Sequence, residues 1–87
     1  MTPRVLTEAE ARTAALAALA EVAPEADLAA LDPAANLQEA LDIDSMDFLR
    51  ALVAIKRLTG VEIPERDYAR VATLQGCVAY LRRGGPG

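Results

Sequence analysis

The chain has 87 residues and a formal net charge of −4, and 53% of its residues are hydrophobic although only 3% are aromatic. It contains no histidine, which excludes a Ser-His-Asp triad and a Cys/His zinc site, so a self-sufficient enzyme is not expected. The single cysteine, Cys77, cannot form an internal disulfide, which is typical of a protein kept in a reducing, cytoplasmic setting.

Neither a membrane span nor a leader segment is predicted. No apolar run approaches the ~18–20 residues that a transmembrane helix needs, and Met1–Arg4 lacks the apolar core of a signal peptide. Charge is unevenly distributed, because residues 1–47 hold ten acids and two bases whereas residues 48–87 hold three acids and seven bases. The basic half lacks the interleaved aromatic residues of a surface that binds single-stranded nucleic acid, so nucleic acid is not expected as a partner.

Helical patterns predict an all-α fold. The first helix begins after Thr7, which can form a capping box with Glu10, and it ends near Ala23 because Pro24 follows. The other predicted elements are a long ordered connection over residues 24–43, pinned by buried leucines, and three further helices over residues 45–58, 65–70 and 74–82. Gly60 is expected as the left-handed C-cap of the helix over residues 45–58, Tyr68 is expected to face inward, and Thr73 is expected to cap the last helix. The buried leucines are Leu28, Leu31, Leu37 and Leu41, and the apolar stripe of the last helix is Leu74, Cys77, Val78 and Leu81. We expect one domain over residues 1–83 and a flexible tail over residues 84–87.

The second predicted helix is amphipathic. At 100° per residue, Phe48 and Ile55 lie on its apolar face and Leu58 lies at the flank of that face. Met46 and Val53 fall at the boundary between the apolar and polar faces. The residues expected on the exposed face are Asp47, Arg50, Ala54 and Arg57.

The start of this helix is the candidate functional site. Asp44 has the position of an N-cap that accepts a hydrogen bond from the Asp47 N–H, and the Asp47 carboxylate can reach back to the Asp44 N–H. Ser45 then falls at the first helical position, where its hydroxyl is accessible near free N–H groups and the positive end of the helix dipole. A phosphate attached to Ser45 would occupy a natural anion site, although Asp-Ser before an apolar helix is most often only a cap.

The order of these elements resembles the acyl carrier protein family over about residues 7–81. Asp44-Ser45-Met46-Asp47 is similar to the family's Asp-Ser-Leu-Asp/Glu motif, and Val61-Glu62-Ile63-Pro64 follows at the expected distance. Val71–Leu74 and Val78–Leu81 follow in the family's register. The resemblance implies an acyl-carrier-like four-helix bundle with three longer helices, one short helix and a long loop between helices 1 and 2.

The resemblance also implies a function for the motif serine. Ser45 would carry a 4′-phosphopantetheine arm, transferred from coenzyme A by a phosphopantetheinyl transferase, and the thiol of the arm would hold acyl groups as thioesters. Asp44 flanks that site as part of the motif. The other implied partners are an acyl- or aminoacyl-activating ligase and the synthase or transferase enzymes of one pathway. The implied protein is a stand-alone, monomeric, cytoplasmic carrier with no catalytic residue, no metal and no membrane insertion.

Some positions depart from the commonest family pattern. Asp42 stands where glycine often precedes the motif, and aspartate can tolerate a positive φ. Members that serve fatty acid synthesis usually expose acids on the second helix, whereas Arg50, Lys56 and Arg57 stand here. This departure implies a specialised lipid, polyketide or related pathway. The residues expected to contact partners are Met46, Asp47, Arg50, Val53, Lys56 and Arg57.

Alternative functions stay open at the level of sequence. The arm could carry aminoacyl or peptidyl groups, because no residue distinguishes these cargoes from fatty acyl groups. A carrier-like adaptor that is never modified is a second alternative. An enzyme with Ser45 as its nucleophile is a third, but the absence of histidine opposes it.

Overall fold

The computed structural model describes residues 6–85, and these residues form helices and connecting turns. The longer helices are α1 (Glu8–Val22), α3 (Ser45–Thr59) and α4 (Leu74–Arg82), and the connection between the first two holds the short helix α2 (Leu37–Leu41). Two 3₁₀ helices are also present, η1 (Leu28–Ala30) and η2 (Glu65–Val71). The predicted all-α fold, with three longer helices, one short helix and a long connection, is confirmed. Predictions for Met1–Arg4 and for Pro86 and Gly87 lie outside the described residues.

Helix α1 begins where its local sequence predicts. The Glu10 N–H donates to Thr7 Oγ1 at 3.1 Å, and the Thr7 N–H donates to Glu10 Oε1 at 3.0 Å, which completes the capping box. The helix ends at Val22, two residues before Pro24. Its buried face consists mainly of alanines. The buried residues are Ala11, Ala15, Ala18 and Leu19.

Helix α3 packs against α1, and this packing buries more of α3 than the sequence predicts. Ala54 was predicted on the exposed face, but only 3% of its surface is exposed. The prediction is wrong because the small side chains of α1 allow a close approach, which extends the buried arc of α3 as far as Ala54. Leu58, predicted at the flank of the apolar face, is 47% exposed near the end of the helix.

The long connection contains more structure than the predicted ordered loop. Asn36 caps α2, because its Oδ1 accepts a hydrogen bond of 3.1 Å from the Glu39 N–H. Leu37 is buried, as predicted, whereas the other leucines of the connection pack on the core while half-buried; they are Leu28, Leu31 and Leu41. An isolated bridge pairs Asn36 with Thr73, and the Leu37 N–H donates to the Ala72 carbonyl at 2.8 Å. The connection is therefore fastened to the start of α4.

The C-terminal part follows the predicted order with a longer short helix. Gly60 ends α3 in the left-handed conformation at φ 78°, as predicted. Helix η2 extends to Val71 rather than ending near Arg70 after about one turn. Thr73 caps α4 by accepting from the Gly76 N–H at 3.0 Å. The core face of α4 includes the predicted residues Leu74, Cys77, Val78 and Leu81, and it also includes Tyr80.

Candidate functional site

Ser45 lies at the first position of α3, and its side chain is exposed. Asp44 provides the cap, since its Oδ1 accepts a hydrogen bond of 2.8 Å from the Asp47 N–H. The predicted return bond from the Asp47 carboxylate is not formed, because that carboxylate lies 3.5 Å from Arg50 Nη1 instead. The Ser45 hydroxyl has no hydrogen-bond partner within residues 6–85. The two adjacent residues thus have separate roles, with Asp44 fixing the helix end and Ser45 left accessible.

A tight turn aims the chain from α2 into α3. Asp42 has φ 53° and ψ 48°, and it is the one residue other than glycine at positive φ in the described chain. Its N–H and that of Ile43 both bond to the Gln38 carbonyl, the latter at 3.0 Å, which ends α2 immediately before the Asp44 cap. Aspartate tolerates this conformation better than most residues. Asp42 thus takes a positive φ, which aspartate was expected to tolerate here.

A groove opens beside Ser45. It has a volume of about 310 Å³ and lies between α3 and η2, with α2 at one end. Phe48 and Tyr68 meet across it edge to face, with ring centroids 6.3 Å apart. The remaining lining residues are Gln38, Leu49, Ala69 and Ala72. An attached group that extends from Ser45 therefore has an apolar surface directly beside it.

Sequence reasoning did not identify this groove. Tyr68 was predicted to face inward, which was a partial indication, but Gln38, Ala69 and Ala72 carry no local pattern that points to Ser45. They come together because the Leu37 N–H at the start of α2 donates to the Ala72 carbonyl at the end of η2, and η2 packs on α4. Within the described residues, no cluster of three acidic, cysteine or histidine side chains could hold a metal ion. No helix between residues 6 and 85 is long and apolar enough to cross a membrane.

Comparison with known proteins identifies the family of this arrangement. A family model described as the phosphopantetheine attachment site matches residues 14–81. The chain belongs to the phosphopantetheine attachment family. It is also similar to a protein named acyl carrier protein from Rubrobacter xylanophilus, with 27% identity over 55 residues, which are 63% of this chain and 68% of that protein. No solved structure matches the chain.

Membership of this family confirms the predicted resemblance and the predicted cofactor. A phosphopantetheine attachment domain carries 4′-phosphopantetheine covalently. The matched residues include the whole of α3 and the groove beside its first turn. Ser45 fits an attachment role, because its hydroxyl is exposed and no contact in residues 6–85 occupies it.

The outward face of α3 in this attachment domain differs from the predicted face. Met46 and Val53 were placed at a boundary, but they are 60% and 68% exposed. Ala54, predicted on the exposed face, is buried, whereas its neighbour Val53 is exposed. The predicted cations each lie beside an acid of the same chain: Arg50 beside Asp47 at 3.5 Å, Lys56 beside Glu62 at 3.4 Å, and Arg57 beside Glu21.

Proposed function

We propose that this chain is an acyl carrier in which Ser45 is the attachment residue. The observation that carries this assignment is the position of Ser45, an exposed residue with an uncommitted hydroxyl on the first turn of α3, within the matched family region. Ser45 is also the only serine in the chain. When attached, the arm supplies a terminal thiol that holds an acyl group as a thioester.

The residues around Ser45 support loading by a separate transferase. In that reaction Ser45 Oγ attacks the phosphorus of coenzyme A nearest the pantetheine, and the bond from that phosphorus to the bridging pyrophosphate oxygen breaks. Adenosine 3′,5′-bisphosphate is the leaving group, and a base of the transferase takes the serine proton. The first N–H groups of α3 and its dipole favour the negative charge that remains on the attached phosphodiester. Asp44 holds these groups in place by capping the helix. The chain supplies position and recognition, and partner enzymes supply catalysis.

The proposed partners are a phosphopantetheinyl transferase, an acyl- or aminoacyl-activating ligase, and the synthase or transferase enzymes of one pathway. The proposed contact surface is the outward face of α3, because it begins beside Ser45 and exposes two large apolar side chains, Met46 and Val53. Asp47 and the cations flank these side chains. Because Arg50, Lys56 and Arg57 replace the acids of fatty-acid carriers, we assign the chain to a specialised lipid, polyketide or related pathway.

The Ser45→Ala variant tests the attachment residue. We expect it to fold like the wild type, because Asp44 rather than Ser45 caps α3, and to gain no arm from coenzyme A and a transferase. The change in unfolding free energy should stay well under the ~1 kcal/mol typical of losing an N-cap. Intact mass after incubation measures loading, and thermal unfolding measures the fold.

Thr13→Ala is the matched control, because Thr13 is exposed on α1 and has no hydrogen bond to its side chain in the described residues. It should load at the wild-type rate. If Ser45→Ala still gained the arm, the attachment residue would have to be a different one. A wild-type chain that never gains the arm would instead favour the unmodified adaptor, and hydrolysis of an activated ester by that unmodified chain would favour an enzyme.

A further inference from the structure

A buried polar cluster joins η2 to α4. Asp67 is the one buried charged residue in the described chain, and its Oδ2 accepts a hydrogen bond of 2.8 Å from the Tyr80 hydroxyl. Arg70 covers the same pair, with its guanidinium carbon 5.0 Å from the centre of the Tyr80 ring and its Nη1 3.8 Å from Asp67 Oδ1. All three side chains thus bind one another at the interface between η2 and α4.

Backbone packing reinforces this side of η2. A Cβ built on Gly76 of α4 would lie 2.2 Å from the Arg70 carbonyl oxygen, so the end of η2 approaches α4 more closely than any residue but glycine permits. Helix η2 packs against α4 more extensively than against α3. On the α3 side, its ring contact is Tyr68 against Phe48, with the two rings nearly perpendicular.

Helix η2 has little intrinsic stability. It is a 3₁₀ helix of seven residues with no side-chain cap, and 3₁₀ helices longer than three or four residues are uncommon because their hydrogen-bond geometry is poor. An element of this kind depends on tertiary contacts for its position. The same element forms one wall of the groove beside Ser45, through Tyr68 and Ala69.

We infer that Asp67 and Tyr80 are positioning residues for this groove: the hydrogen bond between them, rather than contact with α3, holds η2 in place as the wall opposite Leu49. Losing that bond raises the population in which η2 has moved away from α4 and the groove is open, while α1, α3 and α4 stay assembled. The importance of the groove for an attached arm rests on the proposed function of Ser45, whereas the anchoring of η2 does not.

The test compares two variants of α4 in the unmodified protein. Tyr80→Phe removes only the hydroxyl that bonds to Asp67. Val78→Ala is the matched control, because Val78 is also buried on α4 but lines a different groove, with Glu8 and Arg12 of α1. Both variants are expected to lower global stability. The slowest amide exchange in α1 and α3 measures this global change in each variant, so the two variants can be compared after it is subtracted.

Two readouts report on η2 itself. The first is hydrogen exchange of the amides in residues 67–71. The second is the rate at which a thiol reagent labels Leu49→Cys placed in the groove, which native Cys77 does not obscure because it is buried. We expect Tyr80→Phe to accelerate both by on the order of tenfold, the effect of losing one hydrogen bond to a charged group. Val78→Ala should accelerate neither once the global change is subtracted.

Equal acceleration in the two variants, or none in either, would overturn the inference. Asp67→Asn provides a second variant if Tyr80→Phe does not fold, because the amide oxygen can still accept from Tyr80. It should accelerate both readouts selectively, but by a smaller factor. Since no measurement requires a loaded arm, a negative result here leaves the assignment of Ser45 intact, and a failure to load Ser45 leaves this test unaffected.

Discussion

At the scale of single residues, the structural role and the proposed chemical role at the start of α3 belong to different residues. Asp44 makes the capping bond that Ser45 would make in many helices, and Asp42 takes the left-handed conformation that ends α2. Ser45 contributes neither bond, so its hydroxyl can be modified without dismantling the turn. This separation is what the proposed attachment at Ser45 requires of a helix end that must also be stable.

The Asp44→Ala variant tests the structural half of that division. Loss of the cap should lower the unfolding free energy by about 1 kcal/mol, and loading should slow because the first N–H groups of α3 are no longer held. The family resemblance also associates this position with the metal-assisted transfer. Thermal unfolding and the loading rate are the measurements.

Asp47→Ala is the matched comparison for Asp44→Ala. Asp47 is an acid of the same turn, but its carboxylate contacts only the exposed Arg50 side chain, and such pairs contribute little to stability. Asp47→Ala should therefore lower the melting temperature less than Asp44→Ala does. Unchanged melting and unchanged loading in Asp44→Ala would contradict both roles given to the cap.

At the scale of elements, the sequence predicts what is decided locally. The caps at Thr7, Asp44 and Thr73 and the glycine at Gly60 depend on neighbours within a few residues, and the structure confirms each of them. The position of Ser45 at the first residue of α3 could be predicted for the same reason, because it follows from the Asp44 cap.

Features decided by distant parts of the chain were missed or wrong. Ala54 is buried because α1 packs closely, and no pattern within α3 indicates that. The second half of the Asp44 capping box was wrong because Arg50 competes for the Asp47 carboxylate. The bond between Asp67 and Tyr80 could not be predicted, since both residues are polar enough to be placed on the surface.

Helix α4 gives an element-scale prediction about alkaline pH. Burial raises the pKa of the Cys77 thiol from its ordinary 9.0 to about 12, and burial together with the hydrogen bond to Asp67 raises the pKa of Tyr80 from 10.0 to about 12. The unfolded chain therefore releases both protons at lower pH than the folded chain does. Stability from these groups is fully present below pH 9.0 and is lost as the pH rises toward about 12.

Denaturant unfolding over this pH range measures the loss. The double variant Cys77→Ala with Tyr80→Phe should be less stable at neutral pH but should lose less stability on going to alkaline pH. Parallel pH curves for the variant and the wild type would show that neither group is responsible. The same raised pKa predicts that Cys77 stays unreactive toward thiol reagents in the folded chain.

At the scale of the whole molecule, the acidic and basic halves of the sequence contact each other. Ion pairs join Glu21 to Arg57 and Glu8 to Arg82, so part of the charge asymmetry is neutralised within the fold. These pairs are exposed and each contributes little to stability. Their side chains remain available to a partner, because an exposed pair can exchange its acid for one on another protein.

Partner choice is the prediction at this scale. We expect the loaded chain to be a poor substrate for a fatty-acid ketosynthase whose docking patch is basic, because like charges at a docking surface exclude wrong partners. The triple variant Arg50→Glu, Lys56→Glu and Arg57→Glu should react faster, and its advantage should shrink at high salt as screening increases. Reaction rates at low and high ionic strength test both statements.

A charge-matched control separates the surface from net charge. Arg12→Glu with Arg82→Glu and Arg83→Glu makes the same change in net charge, but these residues lie on α1 and at the end of α4. That variant should not gain the low-salt advantage. If the triple variant and the wild type react equally at low salt, the charge of α3 does not select the partner, and the assignment to a specialised pathway loses its main support.

The fastening of the long connection to the start of α4 has a consequence for the order of events during synthesis. The segment before Ser45 is fixed by the bond from the Leu37 N–H to the Ala72 carbonyl, at 2.8 Å, and by the bond from the Gln75 N–H to the Pro33 carbonyl, at 2.9 Å. Ala72 and Gln75 leave the ribosome after the serine itself, because synthesis runs from the N-terminus. A nascent chain can form the local Asp44 cap, but not the docked connection or the wall of the groove. An enzyme that recognises more than the isolated turn therefore finds its substrate only after Ala72 and Gln75 have been synthesised and have docked.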